Sequence, residues 1–205
     1  MGRARHPKKE VEEAIRYAES FGWQQRDERG GVMEYEFALR FKLPEEVADA
    51  GEVIESLGRA GCTDALVGIG QPGRIALRFT REAGSASEAM VSALRDVKGA
   101  IPAAKLIEVG PDFVGLTDVA EIVGMTRQNM RKLMLANSAG FPAPVHEGSA
   151  VIWHLEPLLR WLKSKGYGIE QRQIDVAHVA MQINLVKESD RIRVSAQPEI
   201  RMLVA

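Results

Sequence analysis

Polar and apolar residues alternate in Glu34-Tyr35-Glu36-Phe37-Ala38-Leu39-Arg40-Phe41-Lys42. That period of two predicts a strand with Tyr35, Phe37, Leu39 and Phe41 on one face. A helical period follows over 45–60, with Val53, Ile54 and Leu57 inward and Gly61 beyond. Residues 65–69 read as a short apolar strand, and Gly70-Gln71-Pro72-Gly73 as a turn. Alternation returns over 74–80, with Ile75, Leu77 and Phe79 inward. Residues 85–98 predict a helix with Ala89, Met90, Ala93, Leu94 and Val97 inward and Ser85 or Ser87 as its cap. Residues 105–109 close the series as a strand. Upstream, 8–21 carries Val11, Ala14, Ile15 and Ala18 at helical spacing, and a polar stretch ending in Gly30-Gly31 links it onward.

Over 33–110 the order is strand, helix, strand, strand, helix, strand, which predicts a ferredoxin-like βαββαβ sandwich. Gly68-Ile69-Gly70-Gln71-Pro72-Gly73 is not a phosphate loop, because it joins two strands and no Lys-Ser/Thr follows. Residues 110–112 form a short connection into the next unit.

Residues 116–133 have the layout of a helix-turn-helix. Thr117 can cap the first helix, and Asp118 and Glu121 suit its positive end. Val119, Ala120 and Val123 form its inner face, and Gly124 stands where a left-handed residue is wanted. Thr126 can cap the second helix. On that helix Met130, Leu133 and Met134 fall on one side, and Arg127, Gln128, Arg131 and Lys132 on the other. Gln128 and Asn129 can pair with adenine edges and an arginine with guanine. Arg131 or Lys132 can hold phosphate. An ordinary helical hairpin with a solvated basic face is the alternative. Phe141-Pro142-Ala143-Pro144-Val145-His146 and Ala150-Val151-Ile152-Trp153 read as extended segments joined by a turn at Glu147-Gly148-Ser149, a candidate wing bringing His146 and Ser149 to the same surface. A helix with Pro157 in its first turn follows.

Composition localises the charge. The whole chain is near neutral, with formal net charge -1. Residues 123–167 nevertheless hold six Lys/Arg against two Glu, an excess of positive charge confined to this unit. A single cysteine, Cys62, excludes a disulfide within the chain and any cysteine-rich metal site. No run approaches membrane-spanning length and the basic opening is not followed by an apolar segment, so a cytoplasmic protein is expected. After Gly166-Tyr167-Gly168, residues 169–188 predict a helix. Ile169, Val176 and Ile183 recur every seven residues with Val179 and Val186 between them, a stripe suited either to a partner helix or to the chain's own core. Residues 191–205 read as a strand or a tail that orders on a partner.

These motifs carry a resemblance. Residues 115–162 resemble the winged helix-turn-helix of AlpA/excisionase and MerR-type regulators, whose pattern "L-T-x-V-A-x-x-x-G-[VM]-[ST]-R-Q", then "F-P-x-P", a wing, a tryptophan and "W-L" falls here on Leu116 to Gln128, Phe141 to Pro144, Trp153 and Trp161-Leu162. More narrowly, 33–162 resembles bacterial DNA-binding proteins encoded beside HicA-like toxins, which implies an antitoxin or autorepressor. Residues 1–23 resemble the start of a HicA-like toxin. Such toxins cut mRNA with a histidine on a strand after the first helix. Here no Gly-His segment follows Trp23, and His6 precedes the helix. A remnant or fused helix without nuclease chemistry is expected, or simply an amphipathic helix packed on the next unit.

No catalytic constellation emerges. His6, His146, His154 and His178 fall in different predicted elements, and no carboxylate partner is evident for His146 or His154. No serine has a nucleophile-elbow context, and Cys62 lacks an activating neighbour. The expectation is therefore a non-enzymatic protein without metal or cofactor: a dimeric, sequence-specific DNA-binding regulator of antitoxin type, with Thr126, Arg127, Gln128, Asn129, Arg131, Lys132, His146 and Ser149 at the DNA. Its expected organisation is α+β: 1–32 helix and linker, 33–110 ferredoxin-like sandwich, 111–167 winged helix-turn-helix, 168–205 C-terminal helix and tail. The alternatives are a module that neutralises a partner toxin by protein contact, with DNA binding secondary, and a HicA-like endoribonuclease.

Overall fold

The computed structural model describes residues 31–45 and 50–192 of this mixed α+β chain. The expected helix over 8–21, His6 and the stretch from 193 lie outside the described residues. Four strands form the first sheet: β1 (Met33–Lys42), β2 (Ala65–Gly68), β3 (Arg74–Ala83) and β4 (Lys105–Gly110). Their spatial order is β2-β3-β1-β4, and every pairing is antiparallel. Helices α1 (Ala50–Arg59) and α2 (Ala86–Ala100) fit the connections between parallel strands.

The period-two pattern places the core. Tyr35, Phe37, Leu39 and Phe41 of β1 and Ile75, Leu77 and Phe79 of β3 are buried in one cluster with Val53 and Leu57 of α1 and Ala89, Met90, Ala93 and Val97 of α2. Phe37 and Phe79 stack with ring centroids 5.2 Å apart. Ile54 departs from expectation: it is 49% exposed, because the buried stripe of α1 runs through Val53 and Leu57 and leaves its neighbour outward. Ser85 is the cap of α2. Its Oγ accepts from the Glu88 amide at 3.1 Å, and the Glu88 carboxylate accepts from the Gly84 amide at 3.0 Å.

β3 runs past the expected Thr80, so alternation carries Arg81 to the inner face. There its guanidinium donates to both Asp64 oxygens (2.6 and 2.9 Å), to Asp96 (2.7 Å) and to Ser92 Oγ (3.0 Å), and lies 5.0 Å from the Phe79 ring centroid. The hydrogen bonds from Arg81 hold the Asp64 carboxyl below its ordinary value.

The second unit comprises β5 (Phe113–Val114), α3 (Leu116–Ile122), α4 (Arg127–Ala136), β6 (His146–Glu147), β7 (Val151–His154) and α5 (Leu155–Ser164). Its strands form a three-stranded sheet, β5-β7-β6, in which β5 is a strand that the sequence pattern did not announce. The last helix, α6 (Gln171–Ile192), joins both units. Val176, Val179, Ala180 and Ile183 belong to the first core, while Ile174, Ala177 and Ile169 just ahead of the helix belong to the second. The seven-residue stripe is thus covered by the chain itself, which leaves no seam through Ile169, Val176 and Ile183 for a partner helix.

One side chain completes that junction. β4 is an edge strand, and its Val109 peptide faces outward. Asn184 of α6 is fully buried and meets it on both sides: its Oδ1 accepts from Val109 N at 2.9 Å, and its Nδ2 donates to Val109 O at 2.8 Å. The second Nδ2 hydrogen goes to Asp112 Oδ2 at 2.8 Å. Lys187 Nζ adds a bond to Ile107 O on the same edge. The amide therefore acts as one residue of a fifth strand and closes the edge.

Asn184→Ala leaves three buried polar groups without this partner and should destabilise the chain by about 3 kcal/mol, at roughly 1–3 kcal/mol per orphaned group with partial relaxation. Leu185→Ala, one position along and 52% exposed, should change little. Chemical denaturation of the two variants checks the contrast. Arg81→Leu should cost on the order of 3 kcal/mol at neutral pH by stranding its carboxylates. The lowered Asp64 carboxyl contributes stability that is present above the unfolded carboxylate value of about 4 and is lost as pH falls through the folded value. The gap between wild type and Arg81→Leu in urea midpoint should accordingly narrow in acid.

Candidate nucleic-acid interface

The site is built on α3, its turn and α4. The N-cap of α3 is Gly115, not the expected Thr117. The helix starts two residues early, and the Asp118 carboxylate takes the Gly115 amide at 2.7 Å. At the other end Gly124 has φ +68°, the left-handed conformation that glycine adopts without steric cost. The Gly124 and Met125 amides reach back to Glu121 O (3.1 Å) and Ala120 O (2.7 Å), the double bond of a Schellman stop. Thr126 then caps α4, its Oγ1 accepting from Asn129 N at 3.2 Å.

Helix α4 is anchored from beneath. Met130 is fully buried, and Leu133 and Met134 pack against the same cluster as Val119, Ala120, Trp153 and Leu159. Opposite them, Gln128, Arg131, Lys132 and Leu135 follow one another at i, i+3, i+4 and i+7, and all four are exposed. Leu135, 61% exposed, ends this otherwise polar stripe. Arg127 lies on one flank. Asn129 lies on the other, where with Met125, Lys132, Leu133, Ala136 and Tyr167 it lines a shallow groove of about 430 Å³. Tyr167 and Leu135 belong to this surface although the sequence pattern singled out neither. Tyr167 arrives from a distant turn, and Leu135 reads as one more core leucine until the helix phase is known.

The charges on α4 are the unusual feature. No acid stands in its first turn, where the helix dipole favours one, and Arg127 occupies that turn instead. Among the described residues no ion pair engages Arg127, Arg131 or Lys132. Neighbouring cations on α5 and at its C-cap are occupied: Arg160 with Glu156, Lys163 with Gln171, and Lys165 over the Trp161 ring at 5.5 Å.

The hairpin beside α4 is fixed by aromatic packing. Trp153 Nε1 donates to Pro142 O at 3.0 Å, and Phe141 meets the edges of Trp153 and Trp161 at 6.2 and 5.0 Å. His146 pairs with Ile152 and Glu147 with Val151, so the turn occupies 148–150, one residue later than expected. His146 and Ser149 are exposed on it, and the His146 ring lies so close over Gly148 that a Cβ there would meet its Nε2 at 2.7 Å.

His154 corrects the sequence reading that neither His146 nor His154 has a carboxylate partner. Its Nδ1 sits 2.6 Å from Oδ1 of Asp112, which is fully buried and shares its other oxygen with Asn184. His154 pairs with Phe113 across the strands, and the two rings lie 5.1 Å apart. The partners are 42 and 72 residues from Asp112, so no local pattern could reveal them. Cys62 is buried beneath Arg81. Desolvation first, then the charge of Asp96, pushes its thiol up to about 11, which leaves it protonated and unreactive at neutral pH. Among the described residues no group of three potential ligands could hold a metal ion, and no helix is long and apolar enough to cross a membrane.

No family model, curated protein or solved structure matches this chain.

Gly124→Ala meets no atom within 4 Å, so its cost is purely conformational, about 1 kcal/mol. It should lower the thermal midpoint modestly while leaving the circular dichroism of the native state unchanged.

Proposed function

We propose that this protein is a sequence-specific DNA-binding regulator, acting as a dimer without catalytic chemistry, and that α4 is its reading helix. The observation that carries the reading is the exposed stripe of α4 with Arg127 on its flank: three cations that form no ion pair among the described residues, on a helix whose opposite side is locked by Met130. A helix that places Arg127 against its own dipole and leaves three cations uncompensated gives up local stability, as functional surfaces do. A phosphate backbone supplies the missing counter-charge.

In this reading α3, α4, the β6–β7 hairpin and α5 are a winged helix-turn-helix, and the β2-β3-β1-β4 sheet with α1 and α2 is a ferredoxin-like sandwich. Gln128 and Arg131 read base edges, and Leu135 adds an apolar contact of the kind that suits a thymine methyl. Arg127 and Lys132 hold phosphates, with Asn129 and Tyr167 bordering the strand on the groove side. His146 and Ser149 on the hairpin reach the flanking backbone. The resemblance of 33–162 to proteins encoded beside HicA-like toxins makes an autorepressing antitoxin in the cytoplasm the preferred biological setting, with a cognate toxin as a further partner.

Selection of bound duplexes from a random pool at stated salt tests this proposal. A defined motif is expected, and retention of no sequence above background would end the reading. On the selected site Gln128→Ala should cost on the order of 1–3 kcal/mol and leave binding to random DNA unchanged. Lys132→Ala should weaken both alike and flatten the salt dependence.

A further inference from the structure

The face of the first sheet turned away from α1 and α2 carries its charges in an order that the core does not require. Strand register sets the order row by row. Lys42 lies between Arg74 and Lys105, directly opposite each across the strands. All three are exposed, and no ion pair among the described residues engages them. Like charges placed directly opposite destabilise a sheet. The next row holds Ala76, Arg40 and Glu108, the last two paired at 3.1 Å. The middle row holds Leu66, Arg78 and Ala38, with Leu66 73% exposed. Then come Thr80 with Glu36, and finally Glu82 with Glu34. These three carboxylates are exposed and also without an ion pair among the described residues. The face is positive at one end, mixed in the middle where Arg78 stands between Leu66 and Ala38, and negative at the other.

Such a face is complementary to itself. We propose that it is the interface between two copies of this chain, stacked sheet on sheet about a two-fold axis that runs across the strands near Ala38. That operation reverses strand direction, so Lys42 of each copy lies over the partner's Glu34, Arg74 over the partner's Glu82, and Arg40 over the partner's Glu36. Arg78 lies in the row of the axis and faces its own copy, so each Arg78 turns diagonally toward the partner's Glu36. Each ion pair occurs twice, as an isologous interface demands. Ala38 and Ala76 let the sheets approach at the centre, and the two Leu66 side chains flank it. The four strands hold 30 residues in all, which at about 3.4 Å per residue and about 4.8 Å per strand give roughly 500 Å² per copy, at the lower limit for a specific interface. The dimer is accordingly modest in affinity and sensitive to salt.

The inference deepens the dimeric reading above but rests on the sheet alone. The β4 edge is closed by Asn184 and the stripe of α6 is buried within the chain, so neither offers the copy-to-copy contact.

Sedimentation equilibrium of the full chain tests it, against the 22.6 kDa of one copy. Wild type should approach twice that mass at low ionic strength and dissociate as salt rises. Lys42→Glu/Arg74→Glu makes both ends negative, and Glu34→Lys/Glu82→Lys makes both ends positive. Each variant alone should weaken self-association by roughly a hundredfold, through like charges brought face to face. An equimolar mixture should dimerise again, because the altered ends of one variant then match the altered ends of the other. That rescue separates lost contact from lost fold. A wild type that is monomeric at every salt concentration overturns the proposal, as does a dimer indifferent to both reversals, or reversals that the mixture does not rescue. Specific DNA binding by a strict monomer would sink this interface and leave the α4 assignment standing. A rescued dimer that selects no DNA would do the opposite.

Discussion

The side-chain amide of Asn184 is the point on which the two halves of this molecule depend. A sheet edge in a protein interior cannot be left open, because an N–H or C=O removed from water without a partner costs more than most contacts return. At Val109 β4 solves this with one amide: both Val109 groups bond to Asn184, and the amide's remaining hydrogen goes to Asp112. From Asp112 the chain of bonds continues to His154, where β7 ends and α5 begins, and the Asp112 carbonyl accepts from Leu155 N at 2.8 Å. Sheet edge, last helix, connection and hairpin thus meet in one polar cluster, around which Val176 and Val179 seat α6 in one core and Ile174 and Ala177 seat it in the other. Apolar contact alone would let α6 slide by a turn. The amide tolerates only one register.

Charge is handled differently in different places, and the contrast is informative. Arg81, carried inward by alternation, is compensated by two carboxylates, a hydroxyl and an aromatic face. Arg160, Arg172 and Arg191 each have an acid beside them. The chain has carboxylates enough for such pairing, since Asp and Glu together outnumber Lys and Arg by 28 to 27. That Arg127, Arg131 and Lys132, and separately Lys42, Arg74 and Lys105, have none among the described residues is therefore a matter of placement and not of supply. Like charges gathered without counter-charge are a local cost, and α4 and the outer sheet face are where the fold accepts it.

Much of this architecture was legible in the sequence because it is local. Alternation over 34–42 and 74–80 located the strands and their inner faces, and glycine and threonine at 124 and 126 marked the turn between α3 and α4. What could not be read depends on which distant group arrives. A heptad stripe of Ile169, Val176 and Ile183 shows that something covers one side of a helix, but the same stripe serves a partner helix or two cores of the same chain. Ile54 and Val53 are adjacent and equally apolar, so only the packed helix phase tells which is covered. Asp112 in a Gly-Pro-Asp connection looks like a solvated turn until Asn184 and His154 come from far along the chain to enclose it. Of the candidate interface, the register of α4 was visible in its residues. The contribution of Tyr167 was not, because it follows α5 in sequence and reaches α4 only through the fold.

The junction also constrains how the molecule can act. With α6 packed in both cores, the position of α4 relative to the first sheet is set by buried contacts and not by a flexible linker. On the proposed reading, any assembly through the sheet face then fixes the separation of the two reading helices as well. A rigid pair gains affinity from its second contact only when two DNA half-sites lie at the matching distance, whereas a tethered pair would accept a range of spacings. On that reading, rigidity at Asn184 is a source of selectivity: α4 would read base edges, but the distance between readings would be imposed by an amide buried at the junction of the two units.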